Sequence, residues 1–265
     1  MTAPANHLAR LVAQSQSQAS EREAVSPLED VRRRAEASPA PRGFAAALLA
    51  GSGLIAEVKR ASPSKGAINP GLDSGALAAA YERGGAACVS ILTEHESFGG
   101  SLGDLTAARS ACALPLLRKD FLVSRYQIYE ARAHGADAVL LIAGAAELPL
   151  LRDLRALARE LSLSVLFEIH AAEEIALARA CEPDLLGINA RDLRTLKVHK
   201  GAFERIAPLA AGIAPLVAES GVRTPDDVRR YRSLGARALL VGEALSSAAD
   251  PEAATRALAR ASEAP

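Results

Sequence analysis

The sequence predicts an α/β protein, a (β/α)8 TIM barrel with an N-terminal helical extension, and three observations predict it. Apolar strand candidates occur eight times: Leu54 to Lys59, Ala87 to Thr93, Leu114 to Lys119, Ala138 to Ile142, Ser164 to Glu168, Leu185 to Asn189, Pro215 to Glu219 and Ala238 to Gly242. Their starts lie roughly 20 to 33 residues apart, with mostly helical pattern between. The joins repeat as well, since Gly85, Gly135 and Gly235 each mark a helix end one short step before a strand. Finally, these strands are continuously apolar, which requires a parallel sheet covered on both faces. An open doubly wound sheet would carry a glycine-rich turn after its first strand, where this chain has Arg60-Ala61-Ser62-Pro63.

Two units are expected, a helical extension over residues 1–47 and the barrel over 48–265. In the extension Leu8, Leu11 and Val12 recur at helical steps, followed by a polar run from Gln14 to Ser20. Ser26 stands as a cap before Pro27, and Leu28, Val31 and Ala35 continue a second helix that Pro39 and Pro41 stop. Two helices are thus expected before the first strand, with Phe44, Leu48 and Leu49 opening a short apolar segment. Later helix starts are marked by Ser124-x-x-Gln127, Thr224-Pro225 and Asp250-Pro251.

At 265 residues and 49% hydrophobic, the chain can bury a large core. Lys+Arg and Asp+Glu balance at 31 each, so charge gives no reason to expect nucleic acid or a membrane as partner. Cys88, Cys112 and Cys181 lack metal-site or C-x-x-C spacing, which implies a reducing compartment and predicts a cytoplasmic protein. No run of about 18 apolar residues offers a membrane span.

Charged residues recur at the predicted C-terminal strand ends, where barrels of this type place their chemistry. Glu57 and Lys59 share one face of the first strand. Lys119 ends the third, Glu168 the fifth and Glu219 the seventh, with Asn189 and Arg191 after the sixth. An isolated Glu-x-Lys is commonly a surface ion pair of little energetic weight. Here the charges fall on odd strands, whose inward side chains share a layer, so they can meet in one catalytic cup. Ser220-Gly221 and Gly242-Glu243 follow the last two strands, where free backbone amides can hold a phosphate. Any one of these glycines could instead serve only a tight turn.

Six stretches, taken in order, resemble the indole-3-glycerol phosphate synthase family. They are Ile55 to Gly66, Leu92-Thr93-Glu94 with Phe98-Gly99-Gly100-Ser101, Leu117 to Phe121, Phe167-Glu168, Gly187 to Leu193, and Ala218 to Gly221. The resemblance covers residues from about 8 to 250. It implies ring closure, decarboxylation and dehydration of 1-(2-carboxyphenylamino)-1-deoxyribulose 5-phosphate to indole-3-glycerol phosphate in tryptophan biosynthesis, a carboxy-lyase activity needing no metal or other cofactor.

It further implies Lys119 as general acid, Glu168 as general base, and Glu57 and Lys59 as further acid/base or electrostatic residues. Asn189, Arg191 and Glu219 would hold the substrate, Phe98 would join them, and Ser62, Ser220, Gly221 and Gly242 would lie on its anionic groups. Glu243 replaces a serine common in the family, so no side-chain phosphate contact is expected from it. The extension should pack beside the active-site mouth through Phe44 and its neighbours. The Gln14 to Ser20 run departs from the more charged helix the family would lead one to expect.

A monomer is expected, with association with other tryptophan-pathway enzymes left open. Two rivals stand beside this reading. Phosphoribosylanthranilate isomerase shares the architecture, but its first strand should carry a cysteine where Glu57-Val58-Lys59 stands. A catalytically silent, ligand-binding barrel would have no use for so complete a set of acids and bases.

Overall fold

A computed structural model describes residues 6–263. Eight parallel strands close into a barrel: β1 (Leu54–Val58), β4 (Cys88–Leu92), β5 (Leu116–Lys119), β6 (Ala138–Ile142), β7 (Ser164–Ile169), β8 (Leu185–Asn189), β9 (Leu216–Glu219) and β10 (Ala238–Val241). The numbering counts a small antiparallel ribbon after the first strand, β2 (Ala61–Ser62) and β3 (Gly66–Ala67). The (β/α)8 architecture expected from the repeats is therefore present, each barrel strand paired with its neighbours and β1 closing on β10. Boundaries differ by a residue or two: Lys59, Thr93 and Gly242 lie just past their strands, because the chain leaves the sheet as it turns into the rim.

Two apolar layers result. The outer one joins the sheet to the surrounding helices through residues such as Val89, Leu116, Val139, Leu141, Phe167 and Leu239. The inner one fills the barrel with Ile55, Cys88, Leu117, Leu140, Leu166, Val217 and Leu240, all buried. The repeated glycines Gly85, Gly135 and Gly235 have φ of 86°, 89° and 95°, a left-handed conformation that side chains beyond glycine resist.

Three helices precede the barrel, where two were expected: α1 (His7–Val25), α2 (Leu28–Ala37) and α3 (Phe44–Ala50). The polar run from Gln14 to Ser20 does not break α1. Ser15, only 2% exposed, donates from Oγ to Asp120 Oδ1 at 3.0 Å and accepts from Gln127 Nε2 at 3.0 Å. Arg22 clasps Glu130 with two hydrogen bonds of 2.6 and 2.9 Å, and Glu130 also accepts from the fully buried Arg118. Polar residues can thus carry a helix against a barrel where inward-facing groups such as Ser15 and Arg22 find partners, although Gln18 Nε2 is buried without one among the described residues.

Ser26 ends α1 rather than capping α2, where the Pro27 carbonyl accepts from the amides of Asp30 and Val31. Phe44 also corrects the expectation that it borders the mouth. It is fully buried at the opposite end, its carbonyl 3.5 Å from the Sγ of Cys88, the first residue of β4. Together with Leu48 it plugs the barrel floor, while Leu8 and Leu11 of α1 join the same inner core from the other side. A barrel interior must be filled at both ends, and two apolar turns of the extension do so.

Candidate active site

The C-terminal ends of the strands surround a cup lined by Glu57, Lys59, Ser62, Phe98, Lys119, Glu168, Asn189, Arg191, Glu219 and Ser220. Gly221 and Gly242 stand behind this lining rather than in it. Asp120, Phe121, Leu11, Leu193 and Leu196 form part of the wall.

Lys119 is at the centre. Its Nζ donates to Glu168 Oε2 at 2.6 Å and to Glu219 Oε2 at 3.0 Å, so three alternate strands meet in one layer. Burial disfavours an ammonium, but the carboxylates of Glu168, Glu219 and Glu57 outweigh it and raise the pKa of Lys119. It holds its proton throughout the neutral range.

The two carboxylates differ sharply. Burial pushes Glu168 upward, yet Lys119 and His170 overcome it and hold the carboxyl well below its usual range. Glu168 Oε1 also accepts from Asn189 Nδ2 at 2.9 Å. Glu219 moves the other way: burial and then the Glu168 charge push it up to about 8, against the pull of Lys119. Its Oε1 has no hydrogen-bond partner among the described residues. Paired carboxyls whose surroundings separate their proton affinities are an arrangement suited to acid and base roles.

Around this core, Lys59 Nζ lies 3.2 Å from Glu57 Oε1 and 5.7 Å from the centre of the Phe98 ring. Phe98 tilts against Phe121 at 6.3 Å, and with Leu11, Leu193 and Leu196 it makes an apolar side suited to a planar ring. Arg191 turns its Nη1 to the Leu196 carbonyl at 3.0 Å, while its backbone amide donates to Asn189 Oδ1 at 2.9 Å.

The backbone amides of Ser220, Gly221, Gly242 and Glu243 have no acceptor among the described residues. Four free donors at adjacent strand ends are what an anion requires. Gly242 has a packing reason too, since a Cβ there would overlap Glu57 Oε1. The Glu243 carboxylate pairs with Lys65 at 3.1 Å and Arg223 at 3.5 Å.

Sequence reasoning missed His170, whose Nε2 lies 3.0 Å from Glu168 Oε1. The signal was available, because residues two apart on a strand face the same way. Leu11 and Leu196 gave none, since only the folded chain brings them to the cup.

The profile of the indole-3-glycerol phosphate synthase family matches residues 8–258. The chain belongs to that family. It is 48% identical over 246 residues to indole-3-glycerol phosphate synthase 1 of Streptomyces coelicolor, covering 92% of this chain and 91% of that one. It is 49% identical over 234 residues to the indole-3-glycerol phosphate synthase of Mycolicibacterium smegmatis, covering 88% and 86%. A 3-hexulose-6-phosphate synthase from Salmonella typhimurium superposes with a TM-score of 0.63 at 14% identity, over 78% of this chain and 97% of that one, which shows the shared barrel alone. The family expected from the strand-end motifs is borne out, and with it the expected decarboxylating lyase.

Proposed function

We propose that this cup converts 1-(2-carboxyphenylamino)-1-deoxyribulose 5-phosphate to indole-3-glycerol phosphate, with release of carbon dioxide and water. The observation that carries the assignment of roles is the Lys119 ammonium held between two carboxyls of opposite proton affinity. Lys119 delivers a proton to the ribulose carbonyl oxygen as the aromatic carbon attacks, which avoids a bare alkoxide in a buried site. Loss of carbon dioxide then neutralises the cationic system formed by that attack and restores the benzene ring; in the last step the hydroxyl takes a proton from Lys59 and leaves as water while a proton is removed from the neighbouring carbon, which completes the indole. Glu168 accepts the proton removed in that last step once substrate draws Lys119 away from it, with Glu57 as the second carboxylate.

Glu219 keeps a proton near neutral pH and suits a substrate hydroxyl better than it suits proton abstraction. Asn189 fixes Glu168, and Lys59 and Arg191 offer positive charge to the anionic groups of the substrate. Ser62 and the amides of Ser220, Gly221 and Gly242 hold the phosphate, and Phe98 packs on the aromatic ring.

The helical extension of residues 1–47 and the catalytic barrel of 48–265 are one working unit in this reading, because Leu11 supplies part of the wall. The protein acts as a cytoplasmic monomer. Among the described residues only four large apolar side chains are exposed, Val25, Leu49, Val198 and Leu209, which supports that state. Phosphoribosylanthranilate isomerase chemistry is disfavoured, since the first strand end holds Glu57 and Lys59 while Cys88 is buried on the barrel floor. Incubation with the carboxyphenylamino substrate should produce indole fluorescence, and a protein that leaves that substrate unchanged would refute the assignment.

A further inference from the structure

Glu168 is restrained by more than Lys119 and Asn189. His170 follows it by two residues, its side chain only 3% exposed, and its Nε2 meets the same Oε1 that Asn189 holds. On its far side the ring meets Glu174, with Nδ1 3.6 Å from Oε2. That oxygen also accepts from the backbone amides of His170 at 2.6 Å and Ala171 at 3.2 Å, so the carboxylate is itself fixed. The other oxygen, Oε1, accepts from Arg194 Nη2 at 3.2 Å.

The result is a line of alternating charge, Glu168, His170, Glu174 and Arg194, running from the floor of the cup to its surface. It ties two consecutive strand-and-loop units together twice, through Glu168 with Asn189 at the strand ends and Glu174 with Arg194 in the loops that follow. His170 does not line the cup.

We propose that His170 is a positioning residue which, held as a cation by Glu174, orients the Glu168 carboxylate and keeps it ionised until it accepts its proton from the substrate. The proposal rests on the functional reading above for its meaning, though its structural part can be tested without substrate. Geometry gives the reason. When substrate draws Lys119 toward a carbonyl oxygen, Glu168 loses its nearest cation, and Asn189 offers only a neutral donor. An imidazolium on Oε1 is then the charge that remains, and it leaves Oε2 free to take a proton. Burial works against a charged ring, but the hydrogen bond to Glu168 and the nearby carboxylates of Glu168 and Glu174 overcome it and raise His170 to about 9. The charged groups facing this unit are Lys119 and Glu219 from the barrel, Glu174 on its own segment, and Arg194 with Asp192 from the next loop.

The test uses His170→Gln, which can keep a neutral donor, and Glu174→Gln, which keeps an acceptor for the backbone amides while removing the charge that holds the ring protonated. The Glu168 carboxyl is titrated by 13C NMR in each purified protein, and kcat and KM are measured across pH with melting temperatures alongside. In His170→Gln the Glu168 titration and the acid limb of kcat should both move up by about one pH unit, a tenfold change in proton affinity. KM should stay within about twofold, because His170 does not touch substrate. Glu174→Gln should move both in the same direction by less, and it carries the test alone if His170→Gln fails to fold.

An unmoved Glu168 titration would overturn the proposal, as would a fall in kcat by one factor at every pH together with a lower melting temperature. Absence of turnover in the unmodified protein would instead refute the function, leaving the NMR result to stand by itself.

Discussion

Gly187 and Glu219 face each other on adjacent strands so closely that a Cβ at position 187 would overlap Glu219 Oε1. The glycine is therefore the space into which a catalytic-layer carboxyl fits. Gly187→Ala should cost about 1–3 kcal/mol of stability by overpacking. It should cost turnover more heavily, on the order of 100-fold, since Glu219 must leave its place beside Lys119. Denaturation and steady-state kinetics check both, and unchanged kcat in the folded variant would show that Glu219 need not occupy that position.

Glu168→Gln should fold normally and lose most turnover while substrate still binds. The amide matches the carboxylate in shape but accepts no proton, and removing one general base typically costs about 100- to 10,000-fold. The comparison is kcat against Kd, and turnover equal to that of the unmodified protein would remove Glu168 from the mechanism.

The two cup lysines should separate. Lys119→Met should abolish ring closure in single-turnover experiments while affinity stays within a few-fold. Lys59→Met, which removes a cation facing the substrate, should also weaken binding by roughly 10- to 150-fold, the usual worth of about 1.5–3 kcal/mol for a contact to a charged group. Ring closure at the normal rate in Lys119→Met would make Lys59 the leading acid.

Glu219 links stability to pH. Its folded pKa of about 8 lies above that of an exposed glutamate, so the folded state binds the extra proton and stability is fully present below the unfolded value. That contribution is lost as pH rises from about 4.5 through 8. Glu219→Gln should therefore match the unmodified protein near pH 5 and become progressively more stable than it toward pH 8 and above. Urea denaturation at several pH values reads the difference, and a gap that does not grow with pH would contradict a raised Glu219.

Inorganic phosphate should compete with substrate through the amides at Ser220–Gly221 and Gly242–Glu243, raising apparent KM without changing kcat. Gly221 has a φ of 91°, so Gly221→Val should distort this cradle and raise KM more than it lowers kcat, because a phosphate handle is held alike in ground and transition states. Phosphate that lowers kcat at saturating substrate would place the anion site elsewhere.

What the sequence determined by itself was local or periodic. The eightfold recurrence of apolar strand and helix required a closed parallel barrel, and the two-residue period of a strand put Glu57 with Lys59 on one face. Lys119, Glu168 and Glu219 at the ends of alternate strands followed from the same counting. The glycine joins were legible because only a left-handed turn explains them.

The tertiary structure alone decided how those charges divide their protons. Glu168 and Glu219 are the same residue type at equivalent positions, yet one is held low by Lys119 and His170 and the other is pushed up to about 8. It likewise decided that Phe44 plugs the floor while Leu11 reaches the cup, and that Gly187 and Gly242 make room for carboxyls. Each depends on distances between groups far apart in the chain. Periodicity fixes the face on which a side chain lies, whereas burial, charge and clearance are set by what the closed barrel brings against it.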